Sequence, residues 1–327
     1  MAGARKALVT GAGGFIGSHL VEALLADGWE VVATVRYTST GAIGYLADLA
    51  PGQRPEIRLG NLCDEEFVRD CAKGVDTIFH LGAHISIPHS YVSPRDVVVN
   101  NVVTTVNALE AARSQGVRRL VHTSTSEVFG TAQTPSIDEG HPLHAQSPYA
   151  ASKIAADKVV ESYNRAFGLE TITVRPFNTY GPRQSRRAVI AHLIHQALAG
   201  GTVRLGSLTP RRDFTFVTDT ARAFVAAADA PEAAIGRHVN LGTGTDVAIA
   251  DIVTMVGEIL GRPLDVVEEA ARIRPSASEV MRLTADNRLA RELLGWQPRI
   301  SLQQGLARTI DWVAANRSRL DGQDQAR

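Results

Sequence analysis

The 327-residue sequence has few cysteines, no charge imbalance and no long apolar run, and each absence excludes a class of protein. Its two cysteines, Cys63 and Cys71, lack metal-ligand spacing and form no disulfide framework, which suits the cytoplasm. Lys plus Arg and Asp plus Glu both number 34, so no basic field argues for nucleic acid. Neither a signal peptide nor an apolar run of about 18 residues is present. We therefore expect a cytoplasmic protein with no metal site and no membrane partner.

The first half of the chain alternates strand-like and helical segments. This alternation predicts an α/β fold, a Rossmann-type doubly wound parallel sheet. The second half is less regular, with a loop at 176–183 marked by prolines and glycine. We read it as a smaller, interleaved C-terminal substrate domain. The predicted strands occupy 7–10, 30–35, 57–62, 76–80, 117–123 and 171–175. The main helices run from 94 to 116, through Tyr149 and Lys153 to about 167, and from 246 to 261.

The domain bounds follow from this pattern. The Rossmann-type domain takes residues 1–175 with about 215–242. The substrate domain takes about 176–214 and 243–316. Residues 317–327 are polar and are predicted to be a tail.

A glycine-rich turn joins the first strand to the first helix. Gly11, Gly14 and Gly17 allow a tight turn, and the helix N-terminus that follows offers N–H groups to a pyrophosphate. The spacing favours a dinucleotide site, although it differs from G-x-G-x-x-G. Where an acidic residue at the end of the second strand would hold the ribose of NAD, the sequence has Arg36, which favours NADP over NAD.

Tyr149 and Lys153 are four residues apart, so a helix places them on one face. A nearby ammonium lowers the pKa of a phenol, and such a phenol accepts a proton from a substrate hydroxyl while hydride leaves the same carbon. Thr125 and Glu127 follow the predicted strand 117–123 at the sheet edge where ligands bind. They supply a hydroxyl and a carboxylate to the same site.

The chain resembles the extended short-chain dehydrogenase/reductase family, the sugar-nucleotide epimerases and dehydratases. The resemblance spans nearly the whole chain. It rests on Thr10-Gly11-x-x-Gly14-x-x-Gly17, His80-Leu-Gly-Ala83, Asn101, Tyr149-x-x-x-Lys153, Arg175-Pro-Phe-Asn178, Arg212-Asp-Phe214 and the segment from Arg274 to Trp296.

The resemblance implies a catalytic set of Thr125, Glu127, Tyr149 and Lys153, a tightly bound and recycled NAD or NADP, and a homodimer paired through the Tyr149 helix and the long helix before it. The implied cofactor contacts are Gly11, Gly14, Phe15, Ile16, Gly17, Arg36, Asn61, Leu62, Leu81, Ala83, Asn101, Thr123, Tyr149, Lys153 and Pro176. The implied contacts with a nucleotide-diphosphate sugar are Ser86, Ser126, Asn178, Arg183, Arg212 and Arg274.

Glu127 directs the resemblance towards dehydratases. Thr125-Ser-Glu127 is similar to the run in GDP-mannose 4,6-dehydratases, in dehydratases of the legionaminic-acid pathway and in UDP-glucuronate decarboxylases, whereas dTDP-glucose 4,6-dehydratases have Asp where this chain has Ser126. The implied reaction oxidises C4 with Tyr149 as base, removes the C5 proton with Glu127, expels water from C6 and returns hydride to C6. The product would be a 4-keto-6-deoxy sugar, made from an NDP-GlcNAc or an NDP-hexose.

Three alternatives stay open at this point. UDP-glucuronate decarboxylation would use the same C4 ketone and would need a cation for the carboxylate, which Arg183 to Arg187 offer. An NDP-sugar 4-epimerase would reduce the ketone from its other face, and Glu127 argues against it. A catalytically idle NAD(P)-binding scaffold is opposed by the intact set of Thr125, Tyr149 and Lys153.

Overall fold

The structure, a computed structural model, describes residues 5–50, 52–269 and 278–317. Arg274 and the predicted tail from residue 318 onward lie outside the described residues. The strands are β1 (Lys6–Thr10), β2 (Glu30–Arg36), β3 (Glu56–Gly60), β4 (Thr77–His80), β5 (Arg119–Thr123), β6 (Glu170–Pro176), β7 (Asn178–Tyr180), β8 (Val203–Leu205), β9 (Arg211–Arg212), β10 (Phe214–Phe216), β11 (His238–Leu241), β12 (Val247–Ala248), β13 (Val266–Glu268) and β14 (Arg282–Leu283).

Helices separate most of these strands, as the alternating pattern predicts. They are α1 (Phe15–Ala26), α2 (Glu65–Cys71), α3 (Ile87–Val92), α4 (Pro94–Gln115), α5 (Pro148–Phe167), α6 (Val189–Ala199), α7 (Val217–Ala228), α8 (Ile249–Ile259), α9 (Arg288–Leu294) and α10 (Leu302–Ala315). Within the described part of the chain, no helix combines the length and the apolar character needed to cross a membrane.

A seven-stranded parallel sheet, in the order β11-β6-β5-β4-β1-β2-β3, is the centre of the first lobe. Parallel strands with both faces covered read as continuous apolar runs, and Ala7, Leu8 and Val9 of β1 are completely buried. Helices α1 and α7 pack on one face, and α2, α4 and α5 on the other. The predicted Rossmann-type fold is therefore confirmed.

The second lobe is built from short strands and from α6, α8 and α10 around a separate apolar core. One sequence prediction was wrong here. Residues 176–183 were read as a loop, but β7 lies within them and pairs in parallel with β10. The prolines at 176 and 182 flank β7 instead of interrupting it, and Tyr180 is buried at its end.

The chain passes between the two lobes more than once. It enters the second lobe after β6, returns to the large sheet through α7 and β11, and leaves again after β11. Helix α7, which sequence reasoning did not place, packs against α1. The predicted domain bounds themselves stay a prediction.

Candidate active site

The glycine turn between β1 and α1 is shaped by close backbone approach. Gly11 has φ of +69°, a conformation that favours glycine. A Cβ on Gly17 would lie 2.3 Å from the Gly11 carbonyl oxygen, and one on Gly14 would lie 3.2 Å from it. No side chain caps α1 at Gly14, so the first N–H groups of the helix, at Phe15 and Ile16, are available to an anion. These features fit the diphosphate of a dinucleotide.

Thr10 joins the ends of β1 and β4. Its hydroxyl oxygen accepts hydrogen bonds from the N–H groups of Leu81 and Gly82, both at 3.0 Å, and lies 2.9 Å from Nδ1 of His80. A Cβ on Gly82 would lie 2.1 Å from Cδ1 of Leu62, so a larger residue there would displace the end of the Leu62 side chain. This packing brings the predicted cofactor contacts Leu62 and Leu81 together.

The predicted adenosine-side contacts lie at the ends of β2 and β3. Arg36 is exposed at the last position of β2. Asn61 follows β3, and its Oδ1 accepts a hydrogen bond from the N–H of Cys63 at 3.0 Å. The positions match the predicted edge of the cofactor site, while the contacts themselves stay a prediction.

Asn101 of α4 is buried and fixes two parts of the site. Its Oδ1 accepts from the N–H of His84 at 2.7 Å, and its Nδ2 donates to the His84 carbonyl at 3.0 Å and to Ser152 Oγ at 2.9 Å. Ser152 in turn donates to the carbonyl of Tyr149 at 2.7 Å. Asn101 therefore holds the segment after Ala83 against α5.

Thr125, Glu127 and Tyr149 meet at the carboxyl end of β5. Thr125 caps a 3₁₀ helix (Ser126–Phe129), and its hydroxyl accepts from the N–H of Glu127 at 3.3 Å. The buried Tyr149 phenol hydrogen-bonds with Thr125, and the Glu127 charge adds to the rise in the pKa of Tyr149 that burial causes. Glu127 is half-buried. The structure thus brings a hydroxyl, a carboxylate and a phenol together, as the sequence predicts.

The expectation that Lys153 lowers the pKa of Tyr149 is not met. Burial raises the pKa of Tyr149 well above its ordinary value, and the hydrogen bond from Thr125 opposes that rise only in part. Burial also lowers the pKa of Lys153 to about 8, against the charge of Asp157. Desolvation therefore outweighs the simple charge argument at this site.

Two predicted contacts carry buried oxygens without a hydrogen-bond partner among the described residues. They are Thr123 Oγ1 at the end of β5 and Asn178 Oδ1 at the start of β7, just after Pro176. Buried polar atoms are rarely left unpaired, so both oxygens suit a ligand. Ser126, another predicted contact, is buried beside Thr125.

A cavity of about 490 Å³ lies at the same end of the sheet. Ser86 caps α3 by accepting from the N–H of His89 at 3.3 Å. The cavity joins the predicted cofactor contact Ala83 to this predicted substrate contact. Its lining residues are Ala83, His84, Ile85, Ser86, His89 and Arg187.

The two described arginines predicted to hold a substrate diphosphate have protein partners. Arg183 donates to Glu22 Oε1 at 2.6 Å and to Ser18 Oγ at 3.2 Å, both on α1. Arg212 is buried, donates to the Arg211 carbonyl at 3.0 Å and lies 3.4 Å from Glu279. Their contact with a diphosphate stays a prediction.

Sequence reasoning missed a buried charged group beneath the site. Asp157 lies one helical turn after Lys153 and pairs with Arg175 at 3.0 Å. The signal was present, because Asp157 continues the four-residue spacing of Tyr149 and Lys153 and Arg175 opens the Arg175-Pro-Phe-Asn178 motif. Only burial distinguishes it from a surface ion pair.

The fold and the site define a Rossmann-type enzyme of the short-chain dehydrogenase/reductase kind, with tyrosine and lysine at the carboxyl edge of the sheet. The family model for GDP-mannose 4,6 dehydratase matches residues 8–309. The chain belongs to this family of NAD-dependent nucleotide-sugar epimerases and dehydratases.

Relatives of known sequence and structure carry more than one reaction name. The chain is similar to a UDP-glucose 4-epimerase of Mycolicibacterium smegmatis, 36% identical over 94% of this chain and 98% of the relative. It is also similar to a dTDP-glucose 4,6-dehydratase of an Actinoplanes species, 32% identical over 96% of this chain and 99% of the relative.

Two solved structures share the fold along nearly the whole chain. DesIV of Streptomyces venezuelae, a dTDP-glucose 4,6-dehydratase solved with NAD, has a TM-score of 0.85 at 31% identity and covers 96% of this chain and 98% of its own. MoeE5, solved with UDP-glucose and NAD, has a TM-score of 0.84 at 33% identity and covers 95% and 99%.

Proposed function

We propose that this protein is a nucleotide-sugar 4,6-dehydratase that converts an NDP-GlcNAc or an NDP-hexose into the 4-keto-6-deoxy sugar. The observation that carries the proposal is the position of Glu127. Glu127 lies in the same turn after β5 as Thr125, its side chain is half-buried, and its charge adds to the rise in the pKa of Tyr149 that burial causes. An elimination across C5 and C6 needs such a base beside the group that takes the O4 proton.

Tyr149 acts as the base towards the sugar O4 hydroxyl, with Thr125 hydrogen-bonded to it. Lys153, on the same face of α5, supplies positive charge as the phenolate forms. A dinucleotide held at the glycine turn of Gly11, Gly14 and Gly17 would take up the C4 hydride and would supply it again at C6, so it would be recycled. A proton equivalent to the one that Tyr149 takes from O4 would return to C5 in that last step. The ketone at C4 makes the hydrogen at C5 acidic.

Glu127 removes that C5 proton. The C6 hydroxyl must then be protonated as it leaves, and Ser126 has no acidic group for the task. We assign this second transfer to Glu127 as well, because a carboxylic acid that has just gained a proton is a competent donor. One residue then serves as base and acid across the C5–C6 bond.

Two observations bear on whether the cofactor is NAD or NADP. DesIV and MoeE5 were solved with NAD, and the glycine turn here fits a dinucleotide diphosphate. The exposed Arg36 at the end of β2 would suit a 2′-phosphate, which favours NADP. Calorimetric titration with both dinucleotides decides between them, and Arg36→Ala should weaken the binding of NADP alone if Arg36 holds the phosphate.

A 4-epimerase is the second candidate, because the M. smegmatis relative carries that name. Incubation with UDP-, GDP-, CDP- and dTDP-sugars, read by mass and proton NMR, separates the reactions. Loss of one water with a new 6-methyl signal supports the dehydratase. An isomer of unchanged mass supports the epimerase, and loss of CO₂ from a uronate supports decarboxylation; either result overturns the proposal.

A further inference from the structure

Three buried polar residues follow one another along one face of α5. Tyr149, Lys153 and Asp157 are spaced by four, so they stack along the helix towards the interior of the first lobe. Asp157 is completely buried. A carboxylate is seldom buried unless it is paired, so its partners indicate what it does.

One oxygen of Asp157 joins α5 to the catalytic turn. Oδ2 accepts from Ser124 Oγ at 2.8 Å and from Arg175 at 3.0 and 3.3 Å. Ser124 lies between the end of β5 and Thr125, in the segment that carries the proposed catalytic groups. The Arg175 guanidinium also lies 5.1 Å from the ring centroid of Phe129, which ends the same turn.

The ionisable groups around Asp157 differ in whether they carry a charge at neutral pH. Burial raises the pKa of Asp157, but a hydrogen bond with His122 and the charges of Arg175 of β6 and Lys153 of α5 outweigh it, and the pKa of Asp157 is well below its usual range. His122 of β5 has Nε2 3.3 Å from Oδ1, but burial lowers the pKa of His122 to about 4, so this ring is neutral at pH 7.

Two further histidines lie close to this group of charges. His80 of β4 stacks on His122 at 5.8 Å, and burial lowers its pKa too. Burial lowers the pKa of His238 of β11 to about 4, although the charge of Asp157 opposes this shift. The charged members of the group at neutral pH are therefore Asp157, Arg175 and Lys153.

We propose that Asp157 is a positioning residue of the active site, which holds the catalytic turn against α5 through Ser124 and supplies the counter-charge of the Lys153 ammonium. It touches neither substrate nor cofactor and acts through these two residues. The inference rests on the proposed roles of Tyr149 and Lys153. It adds that the distance between Thr125 and Tyr149, and the charge on Lys153, depend on one carboxylate under the site.

The charge part is tested by titrating Lys153 directly. The chain has only four lysines, so ¹³C-lysine labelling of the full-length protein gives four signals, and the Lys153→Met variant assigns one. Asp157→Asn should lower the titration midpoint of Lys153 by about 1 to 3 pH units. Glu161→Gln, which removes a surface partner of Lys158 on the same helix, should leave it in place. An unchanged midpoint in Asp157→Asn overturns the proposal.

If Asp157→Asn leaves Arg175 unpaired and does not fold, the comparison moves to Arg175→Gln and the double variant Arg175→Gln/Asp157→Asn. The double variant removes both members of the buried Asp157–Arg175 ion pair, so it leaves no unpaired guanidinium. Its Lys153 midpoint should lie below that of Arg175→Gln. Equal midpoints contradict the proposal.

Ser124→Ala tests the positioning part. We expect kcat to fall about tenfold, as for the loss of one hydrogen bond, with KM and the Lys153 midpoint unchanged. Unchanged kcat, or a rise in KM alone, contradicts it. The two proposals fail separately. If the Lys153 midpoint shifts in Asp157→Asn but the protein forms no dehydrated sugar, only the proposed dehydratase function is wrong. If dehydrated sugar forms but the midpoint does not shift, only the proposed role of Asp157 is wrong.

Discussion

Arg183 of the second lobe donates a 2.6 Å hydrogen bond to Glu22 of α1, the helix whose N-terminus faces the predicted cofactor diphosphate. Arg183 is the one non-glycine residue among those described that has a positive φ, of 69°. His19 adds a contact of 3.1 Å to the carbonyl of Pro182. The loop after β7 is therefore bonded to α1. These contacts link the two lobes next to the site.

This link predicts a pH-dependent contribution to stability. Burial alone would raise the pKa of Glu22, but hydrogen bonds with His19 and Arg183 lower it to about 2. A lowered carboxyl pKa stabilises the fold above the unfolded value and loses its effect as pH falls through the folded value. Glu22→Gln should cost about 1 kcal/mol at pH 7, after allowance for the 37% exposure of the side chain.

The measurement is urea unfolding of both proteins between pH 7 and pH 2. The difference between them should shrink as pH falls from 4.5, the ordinary value for Glu22, towards about 2. Asp70→Asn, which removes an exposed pair with Lys73, is the control and should change stability at pH 7 by much less than Glu22→Gln, because solvent screens that pair. A difference that is constant over this range would contradict the ion-pair explanation.

Tyr149→Phe should remove C4 oxidation. The phenol is the group placed to take the O4 proton, and loss of a positioned base lowers the rate by about 10²- to 10⁴-fold. Product formation by mass spectrometry measures the effect. Tyr163→Phe is a matched control on the same helix, because its hydroxyl bonds Glu110 away from the turn after β5. Full activity in Tyr149→Phe would end the assignment.

Glu127→Gln should block elimination more than oxidation. We expect dehydration to slow by about 10²- to 10⁴-fold, because the amide cannot accept the C5 proton. Exchange of the C5 hydrogen with deuterium from solvent should be lost in parallel. Glu139→Gln, also half-buried but bonded to the N–H of Asn240, serves as control. Dehydration at the normal rate in Glu127→Gln would remove this residue as the base.

Gly17→Ala should weaken dinucleotide binding. The new Cβ would lie 2.3 Å from the Gly11 carbonyl oxygen, so the turn must shift. Overpacking of this kind costs about 1–3 kcal/mol, which corresponds to about 5- to 150-fold weaker binding if the strain falls on the bound conformation. Fluorescence titration measures it. A Cβ on Gly140 would meet only Asp138 at 3.4 Å, so Gly140→Ala should bind the dinucleotide with normal affinity. Equal affinities of the two variants would contradict the assignment of the glycine turn to the dinucleotide diphosphate.

The sequence by itself determined the first lobe, because its signals are local. Apolar runs such as the one that ends at Thr10, the glycines at 11, 14 and 17, and the four-residue spacing of Tyr149 and Lys153 each act within one element. They were sufficient to place the parallel sheet and the sides of the site. Glu127 was found in the same way, from its position just after a strand.

The tertiary structure alone decided which partners these residues have and how deeply they are buried. The pairing of β7 with β10, the attachment of Arg183 to Glu22 and the burial of Asp157 against Arg175 join residues far apart in the chain. The pKa of Tyr149 rises instead of falling for the same reason: desolvation is set by all the atoms packed around the phenol, and the spacing to Lys153 carries no information about them.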